Sequence, residues 1–151
     1  MSELRKPVDV ATDHTVTFVR AHLLPQATLL EVGCGAGDVA RALLYEGCDV
    51  LAFDSDGTAI AEARSRGVPA RQADWPHFDG GPFDAIAFTP SLHHIHPLDA
   101  AVRRAHELLR SGALVLVEDA VRFVEARFRA ERAAGEREEI MLIGRRLVGV
   151  R

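Results

Sequence analysis

Residues 29–38, LLEVGCGAGD, set a short apolar run directly before three glycines on alternate positions, Gly33, Gly35 and Gly37. Glycine admits left-handed backbone and presents no side chain, so a ligand can come up against the main chain there. A buried strand that breaks into such a turn and then enters a helix is the opening unit of an α/β sheet. In that architecture ligands sit beyond the carboxyl ends of the strands, where strand order reverses.

The remaining chain continues the alternation. Residues 9–24 carry Val16, Val19 and Leu23 at helical spacing, with Thr12 or Asp13 as candidate caps and Pro25 as the stop. Residues 28–32 read as a strand, 38–46 as a helix, 49–53 as a strand and 56–66 as a helix. A weak strand at 68–72, a strand at 83–88, a helix at 98–110 and a strand at 113–117 follow. The strands VLAF, FDAIAF and ALVLV are almost continuously apolar, as strands covered on both faces are. The expected fold class is α/β: a three-layer, Rossmann-like, mostly parallel sheet with an abbreviated or atypical C-terminal end.

A chain of 151 residues suggests a single domain, 1–151, with its core at about 27–119. Residues 121–139 are charged, with Val121, Val124 and Phe128 on one stripe, and read as a solvated helix. Residues 140–150, IMLIGRRLVGV, fit one strand, a hairpin turning at Gly144, or an apolar helix. Net charge is −4, which gives no global attraction to nucleic acid or to an anionic membrane. Cys34 and Cys48 are too few for a disulfide framework and read as reduced thiols. No apolar stretch approaches a membrane span, and the N-terminus lacks a signal-like apolar region, so a cytoplasmic location is expected.

The glycine spacing narrows the ligand. A dinucleotide loop of the G-x-G-x-x-G type, counted from Gly33, needs its third glycine at position 38, where Asp38 stands. A carboxylate there would repel a pyrophosphate. No GK[ST] follows, so a P-loop is also absent.

The segment Glu31-Val32-Gly33-Cys34-Gly35-Ala36-Gly37 resembles motif I of the class I S-adenosylmethionine-dependent methyltransferases, of the small-molecule type 11/12 domain. Residues 53–56, FDSD, are similar to the second motif; 72–78, QADWPHF, to the third; 83–95 to the fourth strand and its exit; and 106–119 to the closing helix, glycine turn and fifth strand. The resemblance implies S-adenosylmethionine as cofactor, S-adenosylhomocysteine as product, and methyl transfer to a small-molecule acceptor by in-line displacement. It implies cofactor contacts from Glu31, Gly33, Cys34, Gly35, Gly37, Asp54, Ser55, Asp74, Trp75 and Thr89. Glu31 would lie near the methionine end, Asp54 would accept the ribose hydroxyls and Asp74 the adenine amino group. A core role for Trp75 is the competing reading.

Chemistry beyond the cofactor rests on residues 89–96. His94 or His93 is the candidate general base where the acceptor must lose a proton. Adjacent His93, His94 and His96 converge poorly on a metal, so none is expected. The tetrapeptide of nucleic-acid amino-methyltransferases is missing, since Phe88-Thr89-Pro90-Ser91 lacks the second proline and the aromatic. The resemblance also implies seven strands, the last two an antiparallel pair, which 34 residues after Val117 hardly accommodate. An exposed edge strand would favour a homodimer. The alternative function is a non-catalytic cofactor-binding or interaction module.

Overall fold

The computed structural model describes residues 7–89, 98–119 and 141–146. Helix α1 spans Pro7–His22, followed by β1 (Thr28–Val32), α2 (Asp38–Tyr45), β2 (Asp49–Asp54), α3 (Gly57–Ser65) and β3 (Ala70–Gln72). A single 3-10 turn, Trp75–His77, leads to β4 (Phe83–Phe88), then α4 (Leu98–Leu108), β5 (Leu109–Asp119) and β6 (Met141–Arg146). The sheet order is β3-β2-β1-β4-β5-β6, and every pairing is parallel. Strand order reverses between β1 and β4. The C-terminal ends of those two strands therefore flank the crevice in which such sheets bind ligands.

Alternate strand residues feed two cores. Leu29, Ala52, Ala85, Ala87 and Leu116 pack with Val16 and Val19 of α1, Ala40 and Leu43 of α2, and Ile60 and Ala63 of α3. Leu30, Val32, Phe53, Ile86, Phe88 and Val115 pack instead with Trp75, Phe78 and Ala101, Ala105 and Leu108 of α4. Both sheet faces are thus covered, which explains strands that are apolar throughout.

Expected and observed boundaries differ in instructive places. Helix α1 opens at Pro7, a first-turn position that suits proline, so Thr12 and Asp13 lie inside the helix and cap nothing at its start. Asp56 is the N-cap of α3, its Oδ1 accepting from the Thr58 and Ala59 amides at 2.9 and 3.4 Å. Strand β5 starts at Leu109, earlier than residue 113, because Leu109 pairs with Phe83 before the register shifts to Ala85–Leu114.

The C-terminal question resolves in favour of a strand. β6 runs straight through Gly144, which pairs with Val117, so Gly144 makes no hairpin turn. β6 lies parallel to β5; the antiparallel closing pair that the resemblance implied is not present among the described residues. The charged helix expected at 121–139 lies outside the described residues.

Candidate functional site

The C-terminal ends of β1, β2, β3 and β4 bring together Glu31, Asp54, Asp74 and Thr89 with the glycine turn. The turn is fastened to β2: the amides of Gly33 and Cys34 both donate to the Phe53 carbonyl, at 2.9 and 3.0 Å. The Gly37 amide closes back on the Cys34 carbonyl at 3.0 Å. All three glycines have positive φ, 76°, 54° and 86° for Gly33, Gly35 and Gly37.

Their surroundings differ. A Cβ on Gly37 would stand 3.1 Å from both Ala63 Cβ and Val68 Cγ2, so this glycine lets α2 close against α3 and the connection that leads to β3. A Cβ on Gly35 would meet nothing within 4 Å. Gly35 therefore faces open space, and that space is where a ligand can lie on the main chain.

Asp54 has two tasks visible in the fold. Its Oδ2 accepts from the Gly35 amide at 2.9 Å and its Oδ1 from the Asp56 amide at 3.0 Å. A carboxylate offers about four acceptor positions, so about two remain for a diol. Ser55 beside it is exposed, and its carbonyl accepts from Gln72 Nε2 at 3.3 Å.

Glu31 is 2 % exposed. Thr89 Oγ1 donates to its Oε1 at 3.1 Å, while Oε2 is buried with no hydrogen-bond partner among the described residues. Burial, with Asp38 and Asp54 nearby, pushes its pKa up to about 8 against the partial relief given by Thr89. Thr89, expected at the cofactor, is thus itself buried and turned to Glu31. Cys34 is buried, its thiol pushed up to about 12 chiefly by burial and then by Glu31 and Asp54, so it is no nucleophile at neutral pH.

Asp74 is exposed and precedes the 3-10 turn without making a capping hydrogen bond to it. Trp75 is 4 % exposed, stacks on Phe53 at 5.4 Å, and donates its indole N–H to the Ala101 carbonyl at 2.9 Å. The structure gives Trp75 the packing position rather than an open face for a ligand. His93, His94 and His96 lie outside the described residues, and no metal-holding cluster occurs among the described ones.

Two further residues shape the site. Arg66, just after α3, donates to the Ala36 carbonyl at 3.1 Å and to Asp38 Oδ1 at 2.7 Å, tying the glycine turn to the helix behind it. Arg104 of α4 donates to the Phe78 carbonyl through Nε at 3.0 Å and also through Nη2. Both look like solvated helix residues in the sequence, and no local pattern distinguishes them.

This donor set fits S-adenosylmethionine. The cofactor has a cationic sulfonium and ammonium, a ribose diol and no phosphate. The carboxylates around the turn, an acceptor oxygen without a partner among the described residues and the bare face of Gly35 match those features. Asp38 at the α2 N-terminus would oppose a pyrophosphate.

The family model for the methyltransferase domain matches residues 5–143. A ubiquinone biosynthesis O-methyltransferase of Xylella fastidiosa is 32% identical over 123 residues, covering 75% of this chain and 50% of that protein. The chain thus spans about half the length of the curated relatives it matches. Among solved structures, the [4+2]-cyclase SpnF aligns with a TM-score of 0.63 at 24% identity, covering 76% of this chain and 45% of that one. The sugar N-methyltransferase KedS8 from a Streptoalloteichus species aligns at 0.59 and 24%, covering 76% and 54%. A cyclase and a methyltransferase at equal identity show the shared fold and leave the reaction open. The family match over most of the chain carries the assignment: this chain belongs to the class I S-adenosylmethionine-dependent methyltransferase family.

Proposed function

We propose that the chain binds S-adenosylmethionine over the C-terminal ends of β1 and β2 and transfers a methyl group to a small-molecule acceptor. When bound, the cofactor supplies a methyl group on a sulfonium, open to in-line displacement. The observation that carries the reading is the buried Glu31 Oε2, an acceptor without a partner among the described residues, at the strand end from which the bare glycine turn departs. A buried carboxyl group in that state calls for a polar partner, and a cation placed beside it would favour its ionised form.

The residues divide the work. Gly33, Gly35 and Gly37, with the Cys34 main chain, form the bed of the ligand. Glu31 serves the cationic methionine end, and Thr89 fixes its orientation. Asp54 accepts the ribose hydroxyls with the oxygen positions that the Gly35 and Asp56 amides leave free, and exposed Ser55 lies next to it. Asp74 accepts from the adenine amino group. Placing the acceptor in line with the methyl group is the main catalytic contribution, and proximity of this kind is worth several powers of ten, roughly 10⁵ M or more in effective molarity. His94 or His93 takes a proton where the acceptor has one to lose. No helix among the described residues is long and apolar enough to cross a membrane. Pairing of two copies along the β6 edge belongs to the same reading, and sedimentation measures it.

Titration calorimetry with S-adenosylhomocysteine tests the binding half. Transfer of label from methyl-labelled cofactor to a metabolite extract tests the catalytic half. Binding without transfer would point to the non-catalytic module instead. Absence of any binding by the folded protein would remove the proposal.

A further inference from the structure

We propose that Trp75 and Arg104 are positioning residues that set adenine specificity, by fastening the loop that carries Asp74 to helix α4. The inference rests on the cofactor reading above and adds to it what holds the adenine-recognising carboxylate in place.

Asp74 has only main-chain support close by: the Ala73 amide donates to the Asp54 carbonyl at 3.0 Å and the His77 amide to the Asp74 carbonyl at 3.0 Å. The strand before it, β3, has three residues. The turn after it also has three, and Asp74 makes no capping bond to that turn. Further on come Gly80 and Gly81, at φ 151° and 84°, where the chain has no side chains to pack. A short strand, one 3-10 turn and a glycine pair cannot by themselves hold a side chain to hydrogen-bond tolerance.

Beyond Ala73, what holds the side-chain-bearing part of the loop is the far layer. Trp75, one peptide after Asp74, has its ring between Phe53, stacked at 5.4 Å and 10°, and Phe88, edge-on at 5.5 Å and 82°. Its N–H is committed to the Ala101 carbonyl within α4. Four residues after Asp74, the Phe78 carbonyl accepts two guanidinium N–H groups of Arg104, one turn further along α4. Arg104 is itself oriented by Glu107 Oε2 at 2.7 Å. The segment is therefore pinned to one rigid helix at both ends, with Asp74 next to the first pin. Consecutive Cα atoms are about 3.8 Å apart, so a shift of Trp75 bears directly on the placement of Asp74. A hydrogen bond near 2.9 Å is lost by about 3.6 Å, so a displacement below 1 Å is enough to undo recognition of an amino group.

The test compares two ligands on three proteins by titration calorimetry. S-adenosylhomocysteine carries the 6-amino group; its inosine counterpart carries a carbonyl there. The proteins are wild type, Trp75→Phe, which keeps the ring stack and removes the N–H, and Arg104→Met, which keeps the stem and removes the donors. Wild type should prefer the adenine ligand by about tenfold or more, the worth of one hydrogen bond to a charged acceptor. Either folded variant should narrow that preference to about threefold or less while leaving affinity for the inosine ligand within about twofold. A structural role alone would lower melting temperature and both affinities together, and that outcome overturns the proposal. An unchanged preference in both variants also overturns it. Equal binding of both ligands by wild type would remove Asp74 as an adenine reader and this proposal with it. If wild type binds neither ligand, the cofactor reading itself fails. Should Trp75→Phe not fold, Arg104→Met decides alone.

Discussion

Thr89 Oγ1 lies 3.1 Å from Glu31 Oε1, joining the exits of two neighbouring parallel strands, β4 and β1, across the switch point of the sheet. The second carboxyl oxygen of Glu31 is buried without a partner among the described residues, and the group's pKa is raised to about 8 by burial. The folded value lies above the unfolded one, near 4.5. Between these pH values the folded state holds a proton that the unfolded chain has released. Stability from this group is complete below about 4.5 and is lost as pH rises towards about 8. The ligand-free protein should therefore lose stability as pH rises through that window, by at most about 1 kcal/mol per pH unit from Glu31 alone. Chemical denaturation at pH 6 and pH 8 measures it, with Glu31→Gln as reference because glutamine keeps the shape and does not titrate. Equal pH slopes in wild type and variant would exclude Glu31 as the source.

Asp54 ties ligand binding to the shape of the turn. Its two oxygens hold the Gly35 and Asp56 amides at 2.9 and 3.0 Å. Asp54→Ala should weaken S-adenosylhomocysteine binding by about ten- to a hundred-fold, since hydrogen bonds to a carboxylate are worth about 1.5–3 kcal/mol. It should also cost about 1 kcal/mol of stability, because the two amides lose a partly solvated acceptor. Calorimetry and a urea melt on the same preparation separate the two effects. Full affinity in the variant would take Asp54 out of the cofactor site.

Gly35 and Gly37 invite opposite outcomes from the same substitution. Gly37→Ala forces a Cβ to 3.1 Å from Ala63 and Val68 at φ 86°, between packed helices. Overpacking and left-handed strain together should cost about 2–4 kcal/mol of stability. Gly35→Ala meets nothing within 4 Å and carries only the strain of φ 54°, about 1–2 kcal/mol. Its methyl group instead occupies the space assigned to the ligand, so cofactor affinity should fall more than stability does. A Gly35→Ala protein that melts early yet binds normally would show the open face to be irrelevant to binding.

Much of this arrangement was legible in residue order. Strands β1 and β4 have the expected ends because apolar runs bounded by turn residues leave little freedom there. The glycine turn announced itself through spacing. The tethers were not legible. The Arg66–Ala36 and Arg104–Phe78 contacts join residues 30 and 26 apart and end on backbone carbonyls, which no side-chain pattern records. Trp75 was ambiguous for a related reason: an aromatic next to a binding acid suits a ligand face or a core equally, and only the position of Ala101 on α4 decides. The direction of β6 likewise depends on the partner strand, since periodicity is blind to parallel or antiparallel pairing.

Asp84 offers a control far from the ligand. At the opposite, N-terminal ends of β1 and β4, its Oδ2 accepts from the Thr28 amide at 2.8 Å and from Thr28 Oγ1 at 3.1 Å, while the Asp84 amide donates back to Thr28 Oγ1 at 3.1 Å. The Thr28 backbone hydrogen bond leads in holding its carboxyl below the usual range, and Arg110 at 3.4 Å adds to this. A lowered folded pKa means the stabilisation is present above the unfolded value of about 3.8 and is lost as pH falls through the folded value. The side chain is 39% exposed, so solvent screening limits the effect of Asp84→Ala to about 1 kcal/mol at neutral pH. Cofactor affinity should not change, because the staple stands at the other end of both strands. Denaturation midpoints at pH 7 and pH 3 should differ more in wild type than in the variant. A variant that loses cofactor affinity as well would mean that the N-terminal ends of the strands set the geometry at their C-terminal ends.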